Sequence, residues 1–364
     1  MKLNRLLAPL PFLLTVSLLC LLTVLLFPAS DKAVSYAAFI FSALMLAILV
    51  HESGHLLTGI LCCLKPQEMI IGPLRLLFHG RRPRLAQNPS WLSFGGTMRF
   101  AASSDDLKDM ALKWSRMSLG GPAASLLLSL LILFLNQPSN IWMQSLFWIS
   151  LALGAATLAP FSSGVSHSDG KLFFILHKPS VRADLLMANV ILQKDYLSAR
   201  PPGSWNTQVA DAAGRLLDSL PDRTPQQLAE EGELRLFLYY HYADRQLPDK
   251  ALGYIQTVAM SARPSGQLPA VRHMIDSLYI GHLLLQNPLD VTSCSEAERL
   301  IGSMSKQEPY SYHKAWAAML AAQGKTAEAV EHLSQARLLL ERWFKPFGTY
   351  RFEQRILSQI ENRL

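Results

Sequence analysis

His51 and His55 stand four residues apart in the segment LAILVHESGHLLTGILCCL, and Glu52 follows the first of them directly. On a helix this spacing projects both imidazoles from one face, where they can share a metal ion. A glutamate beside them is placed to take a proton from water as a general base. The chemistry this suggests is metal-assisted hydrolysis. A lone H-E-x-x-H arises by chance in on the order of one chain in a hundred of average composition, so the surroundings have to add weight. They do: the three ionisable residues lie inside an otherwise apolar run, where such groups are costly and mark a functional site by default. The competing account is a buried polar cluster that only fixes helix packing.

A catalytic zinc needs a third protein ligand and an open position for water. The candidate is Asp169, in the stretch LAPFSSGVSHSDGKLFF. Pro160, Gly164 and Gly170 break the helix there and can turn the chain back toward the histidines. His167 and His177 are rivals for the same role, and His167 also suits a loop position or a place behind the ligands.

The elements that must position these residues are apolar. Of the 364 residues, 50% are hydrophobic and only 17% charged, below the roughly 25% of soluble domains. The net charge of +7 is unevenly placed. Residues 1–175 hold 13 Lys+Arg and 7 Asp+Glu, whereas 176–364 hold 21 and 20. Almost all the excess therefore belongs to the apolar half, which argues against a nucleic-acid-binding tail and for charges that orient the chain in a membrane. Four spans are expected, at about 6–27, 35–64, 117–135 and 141–160. The first, preceded by Lys2 and Arg5, is read as an anchor rather than a cleaved signal, because another span follows at once. Residues 65–116 carry nine basic residues against four acidic ones, while the links at 28–34 and 136–140 carry one Lys and none. The positive-inside rule then puts both termini and the 65–116 segment on the cytoplasmic side of the cell membrane. Cys20, Cys62, Cys63 and Cys294 have no C-x-x-C spacing, so they form neither a disulfide framework nor a zinc ribbon.

Four features in order over about 35–175 resemble the site-2 protease family of intramembrane zinc metalloproteases, which includes bacterial sporulation and stress-response proteases. They are HESGH in a span followed by EMIIGPLRL, then SFGGTMRF, then Leu119-Gly120-Gly121-Pro122-Ala123-Ala124, and finally Pro160 with Ser168-Asp169-Gly170. The resemblance implies one zinc ion per chain held by His51, His55 and Asp169, with Glu52 as the catalytic base. It also implies a bacterial cell membrane and a membrane-protein substrate. Two positions depart from the family pattern: Thr157 and Ser125 stand where asparagines are frequent. The loss of those amides leaves a catalytically degenerate membrane anchor or scaffold as the alternative reading.

The segments 67–76 and 91–100 read as short extended stretches with Gly72-Pro73 and Gly95-Gly96 as turn or bulge points. Their edge could hold an unwound substrate, which makes Gly95 and Gly96 candidate substrate-binding residues, or they could form an amphipathic hairpin that only seals the membrane surface. Thr157, where the family often has asparagine, is a third substrate-binding candidate by the resemblance. From about 183 onward the apolar spacing is helical, broken at Pro201-Pro202-Gly203, Pro221, Pro248, Pro264, Pro288 and Pro309. The segment HKAWAAMLAAQGKTAEAVEHLSQARLLLE is similar to a tetratricopeptide unit, with Ala317, Ala329 and Ala336 letting two helices close around Gly324. The run Tyr239-Tyr240-His241-Tyr242 is better explained by helical core and interface uses than by any cofactor.

The expected protein is therefore mainly α: a four-span helical membrane metalloprotease core (1–175) with a short membrane-associated β segment, plus a soluble all-α domain of helical hairpins (183–364). The expected activity is zinc-dependent endopeptidase action on membrane-spanning or membrane-proximal proteins, by Glu-assisted attack of zinc-bound water. Its expected partners are the bilayer, a membrane-protein substrate and a protein on the helical domain, with no nucleic acid. A transporter using the same ligands fits less well, since no inverted repeat is evident.

Overall fold

The computed structural model describes residues 8–364 apart from 79–81, 136–139, 164–165, 222, 264–268 and 287–290. Lys2, Arg5, Arg81, Gly164, Pro264, Pro288 and most of the 136–140 link lie outside the described residues. The chain divides into two compact units, 1–162 with 166–183, and 163–165 with 184–364. It is mainly helical, with one small four-stranded sheet. Among the described residues four helices are long and apolar enough to cross a membrane.

In the first unit, α1 (Pro9–Leu26) leaves Leu14, Leu18, Leu21 and Leu25 exposed. A leucine surface of that kind is at home against hydrocarbon rather than water. The long helix α2 (Asp31–Leu61) carries the H-E-x-x-H pattern near its C-terminal end. It stops in a Schellman cap: Cys63 takes a left-handed conformation (φ 60°), and the Cys63 and Leu64 N–H groups donate to the Ile60 and Gly59 carbonyls. That cap turns the chain directly into the sheet.

The sheet consists of β1 (Lys65–Ile71), β2 (Leu74–Leu77), β3 (Arg84–Gln87) and β4 (Thr97–Ala101), in the spatial order β3-β2-β1-β4 and antiparallel throughout. Gly72, at φ 53°, makes the tight β1–β2 turn with Pro73. The sheet seats on α2 where a side chain at Gly59 would collide with the Phe100 ring. The expected strand at 91–100 is shorter than anticipated. Trp91–Ser93 form a 3₁₀ turn instead, because the Ser90 hydroxyl accepts the Leu92 N–H and the buried Asn88 side chain accepts from the Ser90 N–H and the Ser93 hydroxyl. Strand β3 was not anticipated.

Two consecutive helices follow, α3 (Leu107–Ser118) and α4 (Gly120–Phe134), then α5 (Ile141–Leu158) and α6 (Asp169–Leu176). Asp106 caps α3 by accepting the Lys108 and Asp109 N–H groups, and Asn140 caps α5 by accepting that of Trp142. Helices α2 and α4 approach so closely that a Cβ on Gly54 would lie 2.3 Å from the Gly120 carbonyl oxygen. This is the small-residue contact by which membrane helices gain van der Waals attraction.

The second unit comprises α7 (Val181–Tyr196) for most of its length, α8 (Thr207–Asp218), α9 (Pro225–Asp244), α10 (Pro248–Met260), α11 (Pro269–Gln286), α12 (Val291–Gly302), α13 (Pro309–Ala322), α14 (Thr326–Trp343) and α15 (Thr349–Glu361). Helices α13 and α14 form a hairpin that turns at Gly324 (φ 72°), with Ala317, Ala329 and Ala336 fully buried. Helix α9 is the centre of the unit: Leu234, Leu236, Phe237, Leu238, Tyr240 and Tyr242 are all buried. The tyrosine run is thus core, as expected.

Glu353 anchors a charged cluster in that core. Glu353 is wholly buried and accepts hydrogen bonds from the Tyr240 hydroxyl (2.5 Å), the Tyr310 hydroxyl (2.7 Å) and the Lys314 ammonium (2.7 Å). Burial, and then the neighbouring Glu353 carboxylate, hold both phenols well above their ordinary range. Removing the only cation while leaving the carboxylate strands a buried charge. Lys314→Met is expected to destabilise this unit by about 3–5 kcal/mol, read as an earlier denaturant transition in tryptophan fluorescence. Adding Glu353→Gln to it should recover part of the loss. An unchanged transition in the single variant would show that the pair contributes nothing.

Candidate metal centre

The histidines sit on one face of α2 because they are one turn apart, and both are nearly buried. Their rings meet edge to face with centroids 4.9 Å apart. Asp169 arrives from α6, where it is the first helical residue. The Ser168 side chain caps that helix by accepting the Lys171 N–H, and its hydroxyl donates to the Ala159 carbonyl, which fixes the turn after α5. Gly170 makes the approach feasible, since a Cβ there would fall 1.8 Å from the Leu158 carbonyl oxygen. Asp169 Oδ2 then lies 3.4 Å from the Nε2 atoms of both His51 and His55. The donor atoms of the three residues lie within 4.8 Å of one another, close enough for one ion.

The opposite ring nitrogens are held from the last turn of α3 and from α4. His55 Nδ1 is 3.0 Å from the Met117 carbonyl oxygen and 3.3 Å from the Gly121 nitrogen. A carbonyl only accepts, so a proton on Nδ1 satisfies the shorter contact and leaves the Nε2 lone pair for a metal ion shared with Asp169. His51 Nδ1 is 3.0 Å from the Ser125 hydroxyl.

Glu52 lies beside the group, 6% exposed, and its Oε2 has no hydrogen-bond partner. Gly96, at φ 106°, comes so near that a Cβ on it would be 2.4 Å from Glu52 Oε1. Gly95 faces open space. The Thr157 hydroxyl donates to the Leu153 carbonyl of its own helix at 2.9 Å.

The rival histidines stand apart from the cluster. His167 pairs with the Ser162 hydroxyl, and His177 stacks on Phe173. Neither belongs to the metal-binding group found among the described residues.

Two observations test whether the site suits a metal. The donor set is two imidazoles and one carboxylate, the borderline set that zinc takes in catalytic sites. Glycine also keeps the donor atoms clear: a Cβ on Gly121 would lie 2.3 Å from His55 Nε2 and 2.7 Å from His51 Nε2, so any larger residue would crowd the nitrogens that face Asp169. The residues fit the group.

Residues 39–336 match Peptidase family M50, which covers most of the chain and both halves of the metal cluster. The chain belongs to Peptidase family M50. Zinc metalloprotease activity and a membrane location are general to this family, and the four apolar helices agree that this M50 protein is a membrane protein. No curated protein and no solved structure matches the chain. Met117 carried no signal in the sequence; Ser125 and Gly121 stood out only by their likeness to the family's pattern, not as neighbours of the histidines.

Proposed function

We propose that this M50 protein is an intramembrane zinc endopeptidase that cleaves membrane-spanning or membrane-proximal protein substrates. The observation that carries the reading is the convergence of His51 Nε2, His55 Nε2 and Asp169 Oδ2 beside Glu52, whose Oε2 has no hydrogen-bond partner. One zinc per chain, bound there, would acidify water and polarise the scissile carbonyl. Glu52 takes the proton from the attacking water and returns it to the leaving amine, a shuttle suited to an oxygen with no other partner. Its burial keeps the carboxylate fixed in place for that transfer.

The sheet supplies a place for the substrate. Among the described residues the outer edge of β4 is unpaired, and β4 begins at Thr97, next to the Gly96 backbone that touches Glu52. A substrate segment unwound from its helix would add to this edge as a further strand and bring its carbonyls past the base. In this reading Gly95 and Gly96 leave room for the incoming backbone. Thr157, whose proton is engaged on its own helix, offers only an acceptor. The charge pattern of the loops puts the site toward the cytoplasmic face of the cell membrane, with both termini cytoplasmic. The helical second unit is the surface for a regulatory protein partner.

Detergent-purified protein is expected to carry about one zinc per chain and to cleave single-span substrates. Chelation should abolish cleavage and zinc repletion should restore it. Zinc without cleavage of any substrate in a broad panel would favour a scaffold, and a chain that takes up no zinc after repletion would overturn the reading.

A further inference from the structure

We propose that Ser125 is the positioning residue for the metal ligand His51, accepting its Nδ1 proton so that Nε2 is presented to the ion. The inference rests on the zinc reading above and assigns a second shell that the ligand pattern alone does not reveal.

The two histidines are oriented by different kinds of group. His55 meets the Met117 carbonyl, which belongs to the backbone and cannot be lost by a side-chain change. His51 meets a single hydroxyl, 3.0 Å away on α4. Ser125 is fully buried, and the hydrogen bonds found for its side chain lead to His51 alone among the described residues. A buried hydroxyl is retained at a desolvation cost, and here its partner is a ligand. When Nε2 gives its lone pair to an ion, the remaining proton of a neutral His51 sits on Nδ1, and the hydroxyl oxygen is placed to accept it.

The packing explains why a serine suffices. Gly54 and Gly120 let α2 and α4 approach almost backbone to backbone. At that separation the shortest hydroxyl side chain reaches the ring without an intervening water. Serine at this place is thus matched to the close helix pair rather than being a degraded asparagine.

The neighbouring Ser129 supplies an internal control. It is also buried on α4, one turn further on, but its hydroxyl donates to the Ser125 and Phe147 carbonyls and touches no ligand.

The test is zinc affinity, measured by competition with a chromophoric chelator on the full-length protein, together with the d–d absorption spectrum of the cobalt-substituted form. Ser125→Ala is expected to weaken zinc by about 10–100-fold and to change the cobalt spectrum. Ser129→Ala should do neither, and Ser125→Thr, which restores a hydroxyl, should recover affinity. Circular dichroism checks that each variant is folded. Should Ser125→Ala not fold, the spectrum and affinity of Ser125→Thr against Ser125→Val compare hydroxyl with methyl at equal volume. Equal affinities and spectra in a folded pair overturn the assignment while leaving the protease reading intact. An unaltered protein that binds no zinc overturns both.

Discussion

Gly121→Ala is expected to empty the metal centre and abolish peptidase activity. The added methyl carbon would lie 2.3 Å from His55 Nε2 and 2.7 Å from His51 Nε2, inside any tolerable contact. Withdrawing helix α4 would give up the backbone-distance contact of Gly54 with Gly120 on the same face. The imidazoles must therefore rotate, and rotation breaks the Nδ1 contacts to Ser125 and Met117 that set their direction. We expect zinc affinity to fall by roughly 100-fold or more, at least the upper end of what losing an orienting partner costs. Metal content after dialysis reads this directly, without reference to activity. Gly253→Ala is the matching control, since a Cβ there meets nothing within 4 Å. A Gly121→Ala protein that keeps its zinc would mean that the ion sits elsewhere.

Glu52→Gln is expected to separate metal binding from catalysis. The amide has the size and shape of the carboxylate, so it occupies the same buried position beside Gly96. It cannot take a proton. Cleavage should fall by about 10²–10⁴-fold, the usual contribution of a positioned base, with zinc content unchanged. Wild-type turnover in the glutamine variant would remove Glu52 from the mechanism. The pair of variants is diagnostic together: one loses the ion, and the other keeps it without the chemistry.

How far the sequence reveals this site depends on separation along the chain. The histidines and Glu52 are legible because the chemistry and the helical period coincide within five residues. Asp169 is legible because an acid followed by glycine, after a proline-broken span, has few other uses; the fold adds that Gly170 packs on the Leu158 carbonyl. Ser125 and Met117 act on their histidines across 74 and 62 residues, and no local pattern announces such contacts. The Glu353 cluster is hidden for the same reason, joining Tyr240, Tyr310 and Lys314 from three helices.

Element boundaries failed where polar side chains overrode a local pattern. Strand β3 (Arg84–Gln87) was not expected; it pairs antiparallel with β2 as a short edge strand with polar ends, the kind of edge that sheets tolerate. The 3₁₀ turn at Trp91–Ser93 depends on Asn88, whose amide also donates to the Gly72 carbonyl across the turn between strands. The expected third span began at 117, inside what proves to be the last turn of α3, because the break at Leu119 lies within an unbroken apolar run. That break is functional in its consequence, since it delivers the Met117 carbonyl to His55.

The order in which the ligands leave the ribosome follows from their places in the fold. Both histidines lie on α2, whereas Asp169 opens α6, after the sheet and three more helices. A growing chain therefore exposes two ligands to the insertion machinery long before the third exists, and two imidazoles alone hold zinc loosely. Proteolytic competence must wait until α6 docks on its predecessors. The three-residue group is therefore completed last, by the late position of one aspartate in the chain.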